Sequence, residues 1–104
     1  MRVAWSARAV RDLDAIFDYI ALDDPVAALS WVKRLQARAR LAGGAPLAGR
    51  IVPEVQHTDV REVFSRSYRI VYRVLDAEIH VLTVFEGHRL LPRDAVSDDE
   101  GRDP

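Results

Sequence analysis

Apolar residues recur every three or four positions in the first part of the chain, with charged residues between them. This spacing predicts an amphipathic α-helix from about Ala7 to Leu22, with Ser6 placed to cap its first turn. The short stretch Arg2–Trp5 before it is predicted to be a strand. The apolar positions of the helix are Val10, Leu13, Ile16, Phe17 and Ile20.

A second amphipathic helix follows after a short link. Asp24 is placed to cap it, Pro25 takes the first helical position, and the pair Gly43-Gly44 is expected to end it. Because the link is so short, the two helices are expected to pack as an antiparallel hairpin. The apolar stripe consists of Ala28, Val32, Leu35, Ala39 and Ala42, and Trp31 lies slightly off it.

The second half of the chain has the pattern of β-strands. After a loop-like stretch, Ala45–Pro53, β-branched and aromatic residues concentrate in Val60–Phe64, Tyr68–Leu75 and Ile79–Phe85, which predicts three strands. Asp76-Ala77 suits a tight turn, so the last two strands are expected to be antiparallel neighbours.

Alternation assigns the side chains of these strands to faces. In the middle strand Tyr68, Ile70, Tyr72 and Val74 are expected on one face, and Arg69, Val71 and Arg73 on the other. In the last strand Ile79, Val81, Thr83 and Phe85 are expected to alternate with His80, Leu82 and Val84. That strand is apolar on both sides and is therefore expected in the centre of the sheet. The predicted fold is α+β, with an N-terminal strand and an antiparallel helical hairpin packed on a small antiparallel β-sheet.

Charge divides the chain at its C-terminal end. Residues 94–104 hold five acids and one base of the 16 acids and 15 bases in the chain. Residues 1–93 therefore carry 11 acids against 14 bases. We expect one domain over 1–93 and a disordered acidic tail over 94–104. The chain has no apolar stretch of membrane-spanning length and no signal-peptide pattern, so a cytoplasmic protein is expected. It has no cysteine, which excludes disulfides and thiolate metal sites.

Five local strings, in this order and spacing, resemble the RelE/ParE family of toxins from type II toxin–antitoxin systems. They are Val3-Ala4-Trp5-Ser6, Ile16-Phe17-Asp18-Tyr19-Ile20, Val60-Arg61-Glu62-Val63, Tyr68-Arg69-Ile70-Val71-Tyr72-Arg73-Val74 and Gly87-His88-Arg89. The resemblance covers about Arg2 to Arg89. It implies the same strand, helical hairpin and three-stranded meander.

The string Val60-Arg61-Glu62-Val63 resembles the ParE branch of that family. RelE-like members cleave messenger RNA on the ribosome, and they carry lysines in the strand matching Val60–Phe64 and a tyrosine or histidine after the last strand. Here Val60–Phe64 holds an acid and apolar residues instead, and Leu90–Ala95 has neither tyrosine nor histidine. RNA cleavage needs groups that take and give a proton, so their absence favours the ParE branch.

The ParE resemblance implies a toxin that acts on DNA gyrase and blocks replication by binding, without chemistry of its own. It also implies a hetero-oligomer with a ParD-like antitoxin, whose C-terminal arm should be acidic and amphipathic. No cofactor, metal or membrane partner is expected. Two alternatives stay open, namely a RelE-like ribosome-dependent endoribonuclease and a non-toxic member of the fold that only binds its antitoxin.

Candidate binding residues follow from charge and helix position, and no catalytic residue is assigned. A cationic patch for the target is predicted from Arg61, Arg69, Arg73 and Arg89, with His88 beside it. Charge reversal at Arg69 or Arg89 is expected to leave the fold intact. The alternative is that these arginines form solvated surface pairs with neighbouring glutamates. Trp31 and Leu35 are predicted to contact the antitoxin. His57, His80 and His88 lack the close spacing of metal ligands.

Overall fold

Five strands and two helices make up the structure, a computed structural model that describes residues 1–92 and 94–96. The sheet has the strand order β1-β5-β4-β3-β2, and the two helices cover one of its faces. The strands are β1 (Arg2–Trp5), β2 (Arg50–Ile51), β3 (Val60–Ser65), β4 (Tyr68–Val74) and β5 (Glu78–Glu86). The helices are α1 (Ala7–Ala21) and α2 (Pro25–Gly44), and a 3-10 turn (Pro46–Ala48) follows them. The predicted α+β architecture is therefore confirmed.

Both predicted helix starts are confirmed by their capping hydrogen bonds. The Ser6 hydroxyl accepts from the Ala9 amide at 3.0 Å, and the Asp24 carboxylate accepts from the Ala27 amide at 3.0 Å. At the other end, α2 includes both residues of the predicted stop, Gly43-Gly44, and ends at Gly44. A side chain at Gly43 would lie 2.8 Å from the Met1 carbonyl oxygen, and the Met1 ammonium donates to the Gly43 carbonyl at 3.0 Å. Because Gly43 has no side chain, Met1 can approach the backbone of α2 this closely.

The sheet joins a three-stranded antiparallel meander to two shorter strands. β3, β4 and β5 pair antiparallel in sequence order, and β5 is central because β1 pairs with its other side in parallel. The strand β2 lies in the stretch that was expected to be a loop, because its two residues are too few to show a period. It pairs with β3 through Arg50 and Ile51.

A β-bulge in β5 changes which of its side chains face the helices, so the predicted faces of that strand are wrong beyond the bulge. Tyr72 pairs with Val81 but the preceding Val71 pairs with Thr83, so Leu82 is an extra residue. The face assignment shifts by one beyond it. Val84 therefore packs toward the helices and Phe85 packs on the opposite face, the reverse of the prediction.

Two side chains from the helical layer hold this bulge. The Asp12 carboxylate accepts the Thr83 hydroxyl at 2.5 Å and the Val84 amide at 3.0 Å. The Ser6 hydroxyl donates to the Leu82 carbonyl at 3.0 Å while it caps α1. These bonds satisfy the backbone groups that the bulge removes from the strand ladder, and they fix α1 against β5.

The core has two parts, one on each face of the sheet. The larger part lies between the helices and the sheet and includes Ala9, Leu13, Leu35, Ala39, Ile70, Tyr72, Ile79 and Val81. The smaller part covers the other face and consists of Val52, Val60, Val71, Leu82 and Phe85, with Val55, Leu91 and Val96 packed on it. The segment after β2 and the segment after β5 therefore pack on the face of the sheet opposite α1 and α2.

The expected acidic tail begins against this smaller part of the core. Residues 94–96 are helical, and Ala95 is 2% exposed. The Arg8 guanidinium donates to the Asp94 carboxylate at 2.7 Å. These three residues therefore pack on the domain, unlike the prediction for them. Residues 93 and 97–104 lie outside the described part, so the rest of that prediction stays as it was. In the part that is described, neither helix is long and apolar enough to cross a membrane.

Candidate functional site

Arg69 lies inside the second face of the sheet, although it was predicted to be part of a surface patch. It is 4% exposed. Its two terminal nitrogens bind the Glu54 carboxylate at 2.9 Å each, and its Nε donates to Oε1 of Glu62 at 2.7 Å. The guanidinium carbon is 4.8 Å from the centre of the Phe85 ring. A cation bound on so many sides has no donor to offer to a target.

Glu62 is the buried acid of this network, and its side chain has no exposed surface. Besides Arg69 it accepts from Nε of Arg50 at 2.5 Å. Glu54 accepts the Leu91 amide at 3.0 Å, and Arg69 donates to the Arg89 carbonyl at 3.1 Å. The network therefore connects β2, β3 and β4 to the segments that follow β2 and β5.

The charge state of Glu54 follows from its position in this network. The hydrogen bonds from Arg69 lower its pKa from 4.5 to about 2, against the smaller effect of burial. The hydrogen bond from the Leu91 amide is a smaller part of this lowering of the pKa. The same contact with Glu54 raises the pKa of Arg69. The pair is therefore ionised throughout the physiological range.

The predicted cationic patch does not form as one exposed surface. Arg61 pairs with Tyr72 across the strands, and Tyr72 faces the helices, so Arg61 lies on the opposite face from Arg69 and Arg73. Its guanidinium donates to the carbonyls of Thr58 at 2.8 Å and of Leu47 and Gly49 at 3.1 Å each. Arg73 is 8% exposed and lies 3.5 Å from the Asp59 carboxylate. The prediction of a single patch is therefore wrong in its geometry.

Gly49 is required where Arg61 and Tyr72 meet the loop before β2. A side chain at Gly49 would meet the Tyr72 hydroxyl at 2.2 Å. That hydroxyl donates to the Pro46 carbonyl at 2.7 Å, which a larger residue would prevent. From the sequence, Gly49 was interpreted only as a residue of the predicted loop Ala45–Pro53.

Arg89 and His88 are exposed, and they follow the end of β5 as predicted. The Arg89 side chain lines a cleft of about 370 Å³ between α1 and the sheet, which includes Tyr19, Tyr68 and Glu86. Burial raises the pKa of Tyr68, and Glu86 adds to the effect, so its hydroxyl is protonated at neutral pH and can donate but not take a proton. His88 lies outside the cleft lining, with Nδ1 3.5 Å from the Glu86 carboxylate.

Of the two residues predicted to contact an antitoxin, Leu35 has no exposed surface and belongs to the core. Trp31 is half-buried and packs edge-on against Tyr68, with ring centres 5.7 Å apart. In the free chain, therefore, only Trp31 offers a surface to a partner.

A groove that was not predicted lies between α1, α2 and the end of β1. Its volume is about 300 Å³, and its lining consists of Trp5, Val10, Leu13, Asp14, Phe17, Val32 and Gln36. Val10 is 45% exposed although it was assigned to the apolar stripe. An apolar stripe wider than the hairpin needs was the one signal in the sequence for this groove.

Metal ligands do not cluster in the described ranges 1–92 and 94–96, where no group of three His, Asp or Glu residues is placed to hold an ion.

Known toxins match nearly the whole chain. The family model described as ParE toxin of type II toxin-antitoxin system, parDE, matches residues 3–91. Toxin Y4kP of Sinorhizobium fredii is 33% identical over 92 residues, which cover 88% of this chain and 94% of that protein. Toxin RelE2 of Caulobacter vibrioides is 34% identical over 90 residues, which cover 86% and 98%. A chain in the solved structure of the chromosomal ParDE system from P. aeruginosa matches with a TM-score of 0.69 at 28% identity, over 83% of this chain and 95% of that one.

The first prediction concerns Arg69. Arg69→Ala should lower the free energy of unfolding by roughly 3–5 kcal/mol, because the buried Glu62 carboxylate then keeps only Arg50, whose side chain is 59% exposed, as its cation. The matched control Arg89→Ala removes an exposed guanidinium and should stay within about 0.5 kcal/mol of wild type. Urea unfolding monitored by tryptophan fluorescence measures both. Equal free energies of unfolding for the two variants would contradict a structural role for the buried Arg69.

The second prediction concerns acid stability. Because the pKa of Glu54 is depressed in the folded chain, its contribution is complete above the ordinary value of 4.5 and is lost as the pH falls toward about 2. Glu54→Gln should therefore be less stable than wild type at pH 7, and the difference should narrow between about pH 4.5 and 2. Urea midpoints across that range provide the measurement. A difference that does not change with pH contradicts the prediction.

Proposed function

The chain belongs to the ParE family of toxins of type II toxin–antitoxin systems, and we propose that it binds DNA gyrase, blocks replication and is neutralised by a ParD-like antitoxin. Gyrase and DNA place this action in the cytoplasm. The proposal makes the protein a binding partner that holds another enzyme in one state, with no cofactor and no reaction of its own.

The burial of Arg69 carries this proposal. A ribonuclease needs cations that reach the phosphate and groups that take and give a proton. Arg69 matches a phosphate-handling arginine of the RelE branch by resemblance, but here it is bound to Glu54 and Glu62. Among the described residues after β5, none other than His88 is a tyrosine or histidine. A site whose cation is already bound, and whose described residues after β5 offer His88 alone as a tyrosine or histidine, favours binding over cleavage.

The name of one relative, toxin RelE2, keeps the RelE-like endoribonuclease as the alternative. His88 is the residue on which that alternative would depend, because an imidazole can act as a general acid or base. It is exposed in the turn after β5, and its Nδ1 lies 3.5 Å from the Glu86 carboxylate.

The surface proposed for the target is the end of the sheet where β5 leaves the core. Arg89 and His88 are exposed there, and Arg89 lines the cleft against Tyr19 and Tyr68. Arg69 serves this surface indirectly, because it holds the Arg89 carbonyl and the Leu91 segment through the network. Arg61 and Arg73 lie away from this surface, because Arg73 pairs with His80 near the start of β5 and Arg61 pairs with the neighbouring Tyr72.

The surface proposed for the antitoxin is the groove between α1, α2 and β1. Its floor is apolar, which suits the apolar face of an amphipathic helix. Lys33 and Arg40 lie one helical turn on either side of Gln36, a lining residue, so they share its face and favour an acidic arm. The groove ends at Trp5 on the edge strand β1, whose outer side can take an added strand.

The third prediction tests the target. The purified protein should inhibit supercoiling by gyrase and make cleaved DNA accumulate, and its induction in cells should stop DNA synthesis before translation. Arg89→Glu should reduce both effects while the fold persists, because its network contact is made by the backbone carbonyl. The control Arg11→Glu alters an exposed arginine of α1 and should remain active.

Codon-periodic cleavage of messenger RNA after induction, mapped by primer extension, would contradict the gyrase proposal and favour the RelE-like alternative. Normal growth after induction would instead identify a non-toxic member of the family that binds only its antitoxin.

The fourth prediction tests neutralisation. Val10→Glu should weaken the complex with the cognate antitoxin at least about tenfold, because it places a charge against the apolar floor of the groove. The control Leu41→Glu changes a residue of α2 that is 68% exposed and outside the groove lining, and it should bind normally. Titration calorimetry measures both. Loss of binding after deletion of residues 94–104, with Val10→Glu unaffected, would contradict this assignment.

A further inference from the structure

Charge is distributed unequally between the two helices. Residues 25–53 contain five basic residues, Lys33, Arg34, Arg38, Arg40 and Arg50, and no acid. Residues 7–24 contain five acids and two bases. The chain's small net charge of -1 therefore conceals an acidic α1 beside a strongly basic α2.

Part of this basic surface is organised around Trp31. The guanidinium carbons of Arg34 and Arg66 lie 5.6 and 5.5 Å from the centre of its ring. Arg38, one turn along α2, donates from Nε to the Phe64 carbonyl at 3.2 Å. Three arginines from α2 and the β3–β4 turn are thereby brought to one place. We call Arg34, Arg38 and Arg66 the turn arginines.

The turn arginines differ from the other arginines of the sheet in their partners. Within residues 1–92 and 94–96, no carboxylate lies within ion-pair distance of any of the three. A ring face holds the guanidiniums of Arg34 and Arg66 in position but leaves their N–H donors to solvent. Cations fixed in this way lose less conformational entropy when they bind an anion.

The turn arginines are separate from the antitoxin groove. With 100° per residue, Arg34 and Arg38 lie on one side of the buried stripe of α2, and the groove residues Val32 and Gln36 lie on the other. An arm that fills the groove therefore leaves the turn arginines accessible, and Asp14 of α1 lies in the groove lining.

We propose that the turn arginines bind the phosphodiester backbone of a nucleic acid. The arginine fork matches phosphate oxygens, and three forks with no carboxylate between them suit a ligand with repeating charges. The apolar groove described above, which would suit an amphipathic peptide, lies on the other side of α2. Contacts to phosphates position a protein without reading sequence, so no base preference is expected. This inference goes beyond the gyrase proposal and does not depend on it.

The number of contacts sets the expected salt dependence. Each phosphate neutralised on duplex DNA contributes about −0.9 to the slope of log K against log salt, so three contacts predict a slope of about −2.7. Because the whole chain is slightly acidic, we expect a dissociation constant in the weak, non-specific range of about 10⁻⁴ to 10⁻⁶ M.

The fifth prediction tests this surface by fluorescence anisotropy with the full chain, a labelled duplex DNA of about 20 base pairs and a single-stranded RNA of the same length. The double variant Arg34→Gln/Arg66→Gln should reduce the slope on DNA from about −2.7 to about −0.9, because only Arg38 remains. The control Arg11→Gln removes an exposed arginine of the acidic helix and should bind like wild type. Circular dichroism should show all three proteins equally folded.

Binding of both nucleic acids supports a shared backbone contact, and preference for one identifies the source of the phosphates. The inference is overturned if neither nucleic acid binds at about 25 mM salt, or if the double variant keeps the slope of wild type. It is also overturned if polyglutamate displaces the nucleic acid at equal charge concentration, because the surface would then be one for acidic peptides. Inhibition of gyrase by the double variant, measured in parallel, separates this outcome from failure of the proposed function.

Discussion

The contact between Arg69 and Glu62 inside the sheet is the constraint that shapes the second face of this protein. A carboxylate without exposed surface is costly to ionise, and it is tolerated only when a cation and further hydrogen bonds compensate it. Arg69 supplies the cation, and its remaining donors recruit Glu54 from the segment after β2 and the Arg89 carbonyl from the segment after β5. These two segments thereby pack over the apolar residues on the face opposite α1 and α2. The polar network and the small apolar cluster depend on each other, because Phe85 shields the guanidinium while the ion pairs hold Val55 and Leu91 in place.

This arrangement separates stability from recognition. The arginines that face the interior, Arg69 and Arg73, are bound by carboxylates of the same domain, whereas Arg89 projects from a backbone position that the network fixes. A binding residue gains from such support, since a side chain on a fixed backbone loses less freedom when it meets its partner. The helical layer is built differently. It is anchored at the β5 bulge by Ser6 and Asp12 and leaves an open groove on its far side.

The comparison of expectation and structure shows which signals are local. The capping residues Ser6 and Asp24 and the hairpin turn at Asp76-Ala77 act on neighbours within a few positions, and all were predicted correctly. β2 was missed because two residues carry no period. The bulge at Leu82 was missed because an extra residue in a strand is defined by the strand beside it. The prediction of one exposed cationic patch was wrong. Alternation assigns Arg69 to a face of the sheet, but it does not show whether other segments bury that face.

The sequence by itself determined the family, the two amphipathic helices, the three-stranded meander and the central position of β5, since each of these follows from periodicity or from strings of adjacent residues. Only the tertiary structure decided which charged side chains are exposed and can bind another molecule. Strand pairing places Arg69 beside Glu62, and the segment after β2 brings Glu54 to the same guanidinium. Arg69 is therefore buried in ion pairs and stabilises the fold, whereas the sequence alone predicted a solvent-exposed cation. Packing of α2 on the other face of the sheet brings Trp31 and Arg34 beside Arg66, which follows Arg34 by 32 residues in the chain. Such contacts depend on distance in space, and no spacing along the chain reports it.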